Sequence, residues 1–253
     1  MSLAPEPLPT RDSPLARRDP RWRLAAFALA LVGVGLHQRL PASVIALALA
    51  LGLAVVARVP GAWYRARIGL LLVALLPFLA VVPFVVDRGE RLWEWRFLHV
   101  TDAGLVVGAV LACKTVALVT LALTLLVTAP LHVTLAAGAR LGVPRLFVQL
   151  ILLTYRYTFL LLDELNRLRV ALRVRGFRNA MTGHAYRTVG QVAGTLVVRG
   201  ADRAERVSHA MHCRGFDGRF RMASEYRTRG ADVLMFTLIV GTVGGLLAWD
   251  VWG

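Results

Sequence analysis

Lysine is almost absent from this chain. Of its 30 basic residues only Lys114 is a lysine, and it lies inside an apolar run. No G-x-x-x-x-G-K-[ST] pattern occurs, so the chain builds no phosphate-cradling loop of its own and is not expected to hydrolyse nucleotides. Cysteine is equally scarce. Cys113 falls in an apolar run and Cys213 in a basic one. Both are expected to be reduced, which excludes a disulfide-stapled secreted scaffold. Acidic residues number 15 against 30 basic ones, a formal net charge of +15. The first twenty residues are polar, proline-rich and charged, without the apolar core of a cleavable signal peptide. The N-terminus is therefore expected to be kept.

Apolar residues are abundant instead: 57% of the 253 residues are hydrophobic, and the mean hydropathy is +0.60. Such hydrophobicity coexists with high positive charge when apolar spans alternate with basic cytoplasmic segments. The expected fold is an all-α integral membrane protein with about five transmembrane helices. A long cytoplasmic segment of helices separates the last two. The candidate spans are Leu24 to Leu36, Ala42 to Ala57, Ile68 to Val86, Ala103 to Val127 and Ala231 to Trp249. Arg21, Trp22 and Arg23 read as an interfacial anchor before the first span. Pro77 and Pro83 mark kinks in the third. Three regions follow: 1–127, an N-terminal tail and four spans; 128–229, cytoplasmic or interfacial helices; and 230–253, the final span.

Arginines set the orientation. The N-terminal flank holds Arg11, Arg17, Arg18, Arg21 and Arg23, and the second connection holds Arg58, Arg65 and Arg67. Between them lies only Arg39. In the Asp87 to Asp102 connection Arg88, Arg91 and Arg96 are offset by Asp87, Glu90, Glu94 and Asp102. From Thr128 to Arg229 there are 17 arginines against six acidic residues. This alternation places the N-terminus inside and the C-terminus outside, with Trp93 and Trp95 at the outer interface. The stretch Phe147 to Leu162 is apolar enough to cross. Crossing would put Arg156 in mid-membrane at a cost of roughly 2.5–3.5 kcal/mol and send the following arginines outside. An interfacial helix is the preferred reading.

The basic segment carries a repeated ending. Pro144 starts a long helix, on which Leu161, Leu165, Leu168 and Leu172 share one face. Arg175 ends that stripe and Gly176 follows. A second helix places Ala204, Val207 and Met211 on one face, ended by Arg214 and Gly215. The two endings align as A-x-x-x-R-G-F, from Ala171 to Phe177 and from Ala210 to Phe216, offset by 39 residues. A small residue one turn before each arginine permits close approach of another helix. A guanidinium at a helix C-terminus is favoured by the dipole and can grip a carboxylate with two hydrogen bonds. Taken alone, the pattern also reads as two ordinary Arg-Gly helix caps.

At these residues the chain resembles a transmembrane T component of the energy-coupling factor (ECF) transporters, and is most similar to the cobalt-type (CbiQ-like) subgroup. The likeness runs from Asp19-Pro20-Arg21-Trp22-Arg23-Leu24 through Thr128-Ala129-Pro130, Leu141-Gly142-Val143-Pro144, Tyr155-Arg156-Tyr157 and Asp163-Glu164. It ends in the two Arg-Gly motifs and in Arg203 to Val207 followed by Phe216-Asp217-Gly218. The family motif often has alanine before Arg-Gly; here Val174 and Cys213 precede it. The resemblance implies that Arg175 and Arg214 end coupling helices docking on two P-loop ATPase subunits, which bind the ATP and Mg. It implies a membrane-embedded substrate-binding S component as a further partner. The chain itself would hold no cofactor and catalyse nothing. The implied location is the bacterial inner membrane and the implied substrate cobalt, with nickel or a vitamin as alternatives.

Other features are expected to be structural. Lys114 reads as a paired or snorkelling residue, and Asp163 and Glu164 as intramolecular partners of nearby arginines. His209, His212 and Cys213 share a face that a transition metal would accept, yet they read as packing residues with no metal site. A self-contained secondary transporter would need several intramembrane ionisable groups or inverted repeats, which the chain lacks. A third reading is a basic membrane anchor for nucleic acid or anionic lipid; the alternation of apolar stripes with arginine argues for a protein partner over a bare polyanion. No nucleic acid is expected to bind.

Overall fold

Prolines and capping side chains set most of the helix starts. The computed structural model describes residues 13–16, 18–85, 91–95, 98–177, 180–216 and 228–252. Helix α1 (Pro20–Leu36) begins where the Asp19 carboxylate accepts from the Arg21 N–H, with Pro20 in the first turn. Then come α2 (Leu40–Val56), α3 (Gly61–Val85), α4 (Asp102–Thr128), α5 (Leu131–Arg140), α6 (Arg145–Val174), α7 (Gly183–Cys213) and α8 (Gly230–Trp252). Pro130 and Pro144 are the N-caps of α5 and α6, and Thr182 caps α7. Helix α3 stays helical through Pro77 and Pro83. A short antiparallel hairpin, β1 (Arg91–Trp95) with β2 (Leu98–Thr101), joins α3 to α4. No strand is expected there from the residue pattern. Arg11, Arg17, Asp87, Arg88, Glu90, Arg96, Asp217 and Gly218 lie outside the described residues, as do the side chains of Pro83, Trp93 and Trp95.

Among the described residues four helices are long and apolar enough to cross a membrane: α4, α6, Gly61–Val82 of α3 and Gly230–Asp250 of α8. The expected count of about five is approximately met. Helices α1 and α2 have 17 residues each, about 26 Å at 1.5 Å per residue and just short of a ~30 Å hydrocarbon core. Helix α6 qualifies with a mean hydropathy of 1.4, against 1.9, 2.1 and 2.3 for the others.

The described residues form two compact units, one within residues 8–142 and 224–253 and the other within 143–223. The first is a bundle of α1–α5 and α8. Its core is built on small side chains: Ala26 and Ala30 of α1, Ala46 and Ala50 of α2, and Ala117 of α4, all buried together with Phe27, Leu121 and Ile239. Between apolar helices in lipid there is little hydrophobic drive, so close backbone approach supplies the contact energy. Gly33 marks the tightest approach, since a Cβ there would overlap Cγ1 of Val243 in α8.

Polar ties close this bundle at both ends. At one end Arg23, 1% exposed, donates through Nη1 to the carbonyls of Leu15 and Thr128 at 3.1 and 3.2 Å. The C-terminal carbonyls of α4 lack partners within their own helix, and Arg23 supplies one. Trp22 donates to Thr228 at 3.3 Å and meets Phe236 of α8 edge-on. Arg23, read with Arg21 and Trp22 as an interfacial anchor, is thus buried inside the bundle, while Arg21 and Trp22 stay half-exposed. At the other end the Asp250 carboxylate accepts from the backbone N–H groups of Gln38 and Arg39 at 2.8 and 3.1 Å, capping α2 from α8. Lys114 Nζ donates to the His37 carbonyl at 3.0 Å, which ties the α1–α2 turn to α4 and gives this lysine a structural task. The hydroxyls of Tyr64, in the first turn of α3, and Thr120 join α3 to α4 at 2.8 Å. Replacing Gly33 with leucine is expected to lower stability by about 1–3 kcal/mol, read as a fall in thermal unfolding temperature in detergent micelles. Val243→Ala in the same chain should recover part of it.

Candidate functional site

The second unit is a pair of long helices whose apolar stripes face each other. One groove, about 710 Å³, is lined by Leu165 and Leu172 late in α6 and by Ala185, Tyr186 and Val189 early in α7. The other, about 480 Å³, joins Leu150, Tyr157 and Leu161 in the first part of α6 to Ala204, Val207 and Met211 late in α7. The helices therefore run in opposite directions and meet near their middles. There Arg199 of α7 forms an ion pair with Glu164 of α6. Glu164 thus takes the intramolecular partner expected of it, whereas Asp163 is exposed and unpaired among the described residues. Arg199 was not singled out from the sequence. Its only signal there is a charge directly after the apolar run Leu196-Val197-Val198.

The two tips share one geometry. At the end of α6, Arg175 is the C-cap and Gly176 takes a left-handed φ of +76°. The Phe177 N–H donates to the Leu172 carbonyl at 3.0 Å and the Gly176 N–H to the Arg173 carbonyl at 3.1 Å. At the end of α7, Arg214 is the C-cap and Gly215 has φ +77°. The Phe216 N–H donates to the Met211 carbonyl at 3.1 Å and the Gly215 N–H to the His212 carbonyl at 3.0 Å. Both are Schellman motifs, in which the 6→1 and 5→2 hydrogen bonds satisfy the last carbonyls of the helix. Phe177 lines the same groove as Leu172, and Phe216 the same groove as Met211, which supplies the apolar contact that accompanies this cap.

Cap chemistry therefore accounts for the glycine and the phenylalanine of each A-x-x-x-R-G-F ending. It does not account for the arginine, because the C-cap position accepts most residues. Arg175 and Arg214 are exposed, and neither side chain has a hydrogen bond or ion pair among the described residues. Ala171 and Ala210, one turn earlier, are exposed as well. Leu165 and Leu172 before the first arginine, and Val207 and Met211 before the second, line the grooves shared with the sister helix. Each tip leaves exposed its C-cap guanidinium and an alanine one turn earlier, and at the first tip Val174, beside Arg175, is 84% exposed as well. Arg175 lies 11 residues beyond Glu164 and Arg214 lies 15 beyond Arg199. At 1.5 Å per residue the tips are roughly 17 and 23 Å from the crossing, hence up to ~40 Å apart.

The histidines near the second tip have local partners. His209 Nε2 is 3.7 Å from Glu205 one turn back, and the His212 ring meets Phe216 edge-on. Among the described residues no group of three or more His, Cys, Asp or Glu side chains is placed to hold a metal ion. Both cysteines are free thiols. Replacing Gly176 or Gly215 with alanine forces a side chain into the left-handed region and is expected to cost about 1 kcal/mol at that tip. Hydrogen exchange should then quicken at the cap amides of 176–177 or 215–216, and asparagine should be tolerated better than alanine.

A family model described as CbiQ, cobalt transport protein, matches residues 11–225. The energy-coupling factor transporter transmembrane protein EcfT of Acidaminococcus fermentans is 28% identical over 256 residues, covering 96% of this chain and 94% of the relative. The cobalt transport protein CbiQ of Salmonella typhimurium is 25% identical, covering 63% of this chain and 72% of its own length. The CbiQ of Rhodobacter capsulatus is 32% identical over 127 residues, 48% of each chain. The first of these relatives is named as a transporter transmembrane protein and the other two as cobalt transport proteins. With its apolar helices and a family match that spans both helix tips, the chain belongs to the CbiQ family of multi-pass membrane transport proteins.

Proposed function

We propose that this chain is the T component of an ECF-type importer, passing the work of two partner ATPases to a separate substrate-binding membrane subunit. The observation that carries the proposal is the pair of exposed, unpaired arginines at two identically capped helix tips. Each tip offers a cation, a helix dipole end of negative sign that steadies it, and a small residue that lets a partner approach. Two equivalent tips up to ~40 Å apart suit two equivalent acidic grooves, one on each subunit of an ATPase pair. The residues of 128–229 are then the coupling segment. ATP and Mg belong to the partners, since this chain has no phosphate-binding loop.

The arrangement sits in the inner membrane with the N-terminus and residues 128–229 on the cytoplasmic side. Arg156 supports this orientation. It is exposed in the middle of α6 and has no partner among the described residues, a position that suits the interface and is costly within lipid. Closure of the ATPase pair would draw on the tips, and the rigid helix pair would pass the displacement on. Work is transmitted only if the contacts differ between the open and closed states. The cargo is a transition-metal ion, with cobalt favoured over nickel by the names of the family and of two relatives.

Arg175→Glu with Arg214→Glu is expected to abolish co-purification of the ATPase subunits while membrane insertion stays at the wild-type level. Each single change should weaken capture by at least tenfold, as expected for a lost charge-assisted contact of about 1.5–3 kcal/mol plus repulsion. A stable, transport-active complex of the double variant would overturn the docking role. Uptake of radiolabelled cobalt set against nickel in cells carrying the whole system tests the cargo: preference for nickel would overturn cobalt, and uptake of neither would overturn a transition-metal cargo.

A further inference from the structure

A third Schellman motif closes α2, and it breaks the rule that the other two obey. The Val59 N–H donates to the Ala54 carbonyl at 3.2 Å and the Arg58 N–H to the Val55 carbonyl at 2.9 Å. These are the same 6→1 and 5→2 bonds as at the tips. Here the left-handed position is held by Arg58, with φ +54°, and it is the one non-glycine residue with positive φ among the described residues. Glycine serves at 176 and 215, so the fold gains nothing from arginine at 58. A side chain kept where the backbone disfavours it points to a task outside the fold.

The surroundings indicate which task. Arg65 and Arg67 follow in the first turns of α3, and no acidic residue occurs between Asp19 and Asp87. None of the three arginines has an ion pair among the described residues. The Arg67 guanidinium lies over the Trp63 ring, 3.7 Å from its centroid, as cation–aromatic pairs do at a membrane interface. Immediately beyond, the apolar surface of α3 is bare: Leu70 is 72% and Val73 66% exposed. Uncompensated guanidiniums at the head of an exposed apolar helix match the two ends of a phospholipid.

We propose that the α2–α3 turn is a docking surface for an anionic phospholipid. Arg58 and Arg65 hold the headgroup phosphate, Trp63 and Arg67 form the interfacial platform, and α3 carries the acyl chains. This surface is separate from the Arg-Gly tips and stands whether or not the tips dock ATPases. The test uses the full-length chain in detergent micelles, titrated with phosphatidylglycerol or phosphatidylcholine and read by native mass spectrometry. Phosphatidylglycerol is expected to be retained in preference to phosphatidylcholine. Arg58→Gly and Arg65→Gln should each lower that preference roughly fivefold, the effect of one basic group near an anionic surface. Arg58→Gly relieves the left-handed position, so its unfolding temperature without lipid should hold or rise, which separates lost binding from lost folding. The proposal is overturned by a wild-type chain with no preference or by a double variant that keeps it. Displacement of the lipid by millimolar inorganic phosphate would also overturn it, by assigning the arginines to a free anion.

Discussion

Helix α1 has to lie almost backbone to backbone against its neighbours, and the bundle rests on that contact. In lipid, burying one more leucine between helices gains little, because the acyl chains it leaves are equally apolar. What remains is dispersion at short range and the hydrogen bonds that short range allows. Ala26, Ala30 and Gly33 on α1 supply the first. Arg23 and Asp250 supply the second, each meeting backbone groups that a helix end leaves without partners. Because α8 closes onto α1, the first and last helices of the chain belong to one bundle. The helix pair α6–α7 is thus connected at both of its chain ends to that bundle.

A different logic governs the helix pair. Its apolar residues face each other across two grooves, and the Arg199–Glu164 ion pair marks the region where the helices meet. The tips are defined by hydrogen-bonded caps rather than by a packed core. A cap of this kind fixes the direction in which the chain leaves the helix and so fixes where the C-cap side chain stands. A pair of stiff rods with defined ends is suited to carrying a displacement. A flexible loop bearing the same arginine would lose the displacement in its own rearrangement.

The three Schellman motifs separate what a cap requires from what a function requires. All three need a left-handed residue and two hydrogen bonds. Glycine meets that need at 176 and 215, and the arginines there precede it, at a position where the backbone imposes nothing. At 58 the arginine itself occupies the left-handed position. In each case the guanidinium is the part that folding leaves unexplained, and in each case it faces outward. The tips lie within a family shared with transporter membrane components. The α2–α3 turn lies at the head of a bare apolar helix.

Much of this was legible in the sequence. Apolar run length gave the membrane class and the helices, proline positions gave the starts of α5 and α6, and spacing by threes and fours gave the facing stripes. The repeated A-x-x-x-R-G-F marked both tips, because a helix C-terminus is a local event governed by a few adjacent residues. Long-range pairings were not legible. Nothing local says that Arg23 reaches Thr128, that Asp250 caps α2, or that the stripes leading to the arginines line grooves shared with the sister helix. The left-handed φ of Arg58 was equally hidden, since the residue type argues against it. Local chemistry is written in neighbouring residues, whereas the partner of a buried charge or a bare face is chosen only when distant segments are brought within a few ångströms.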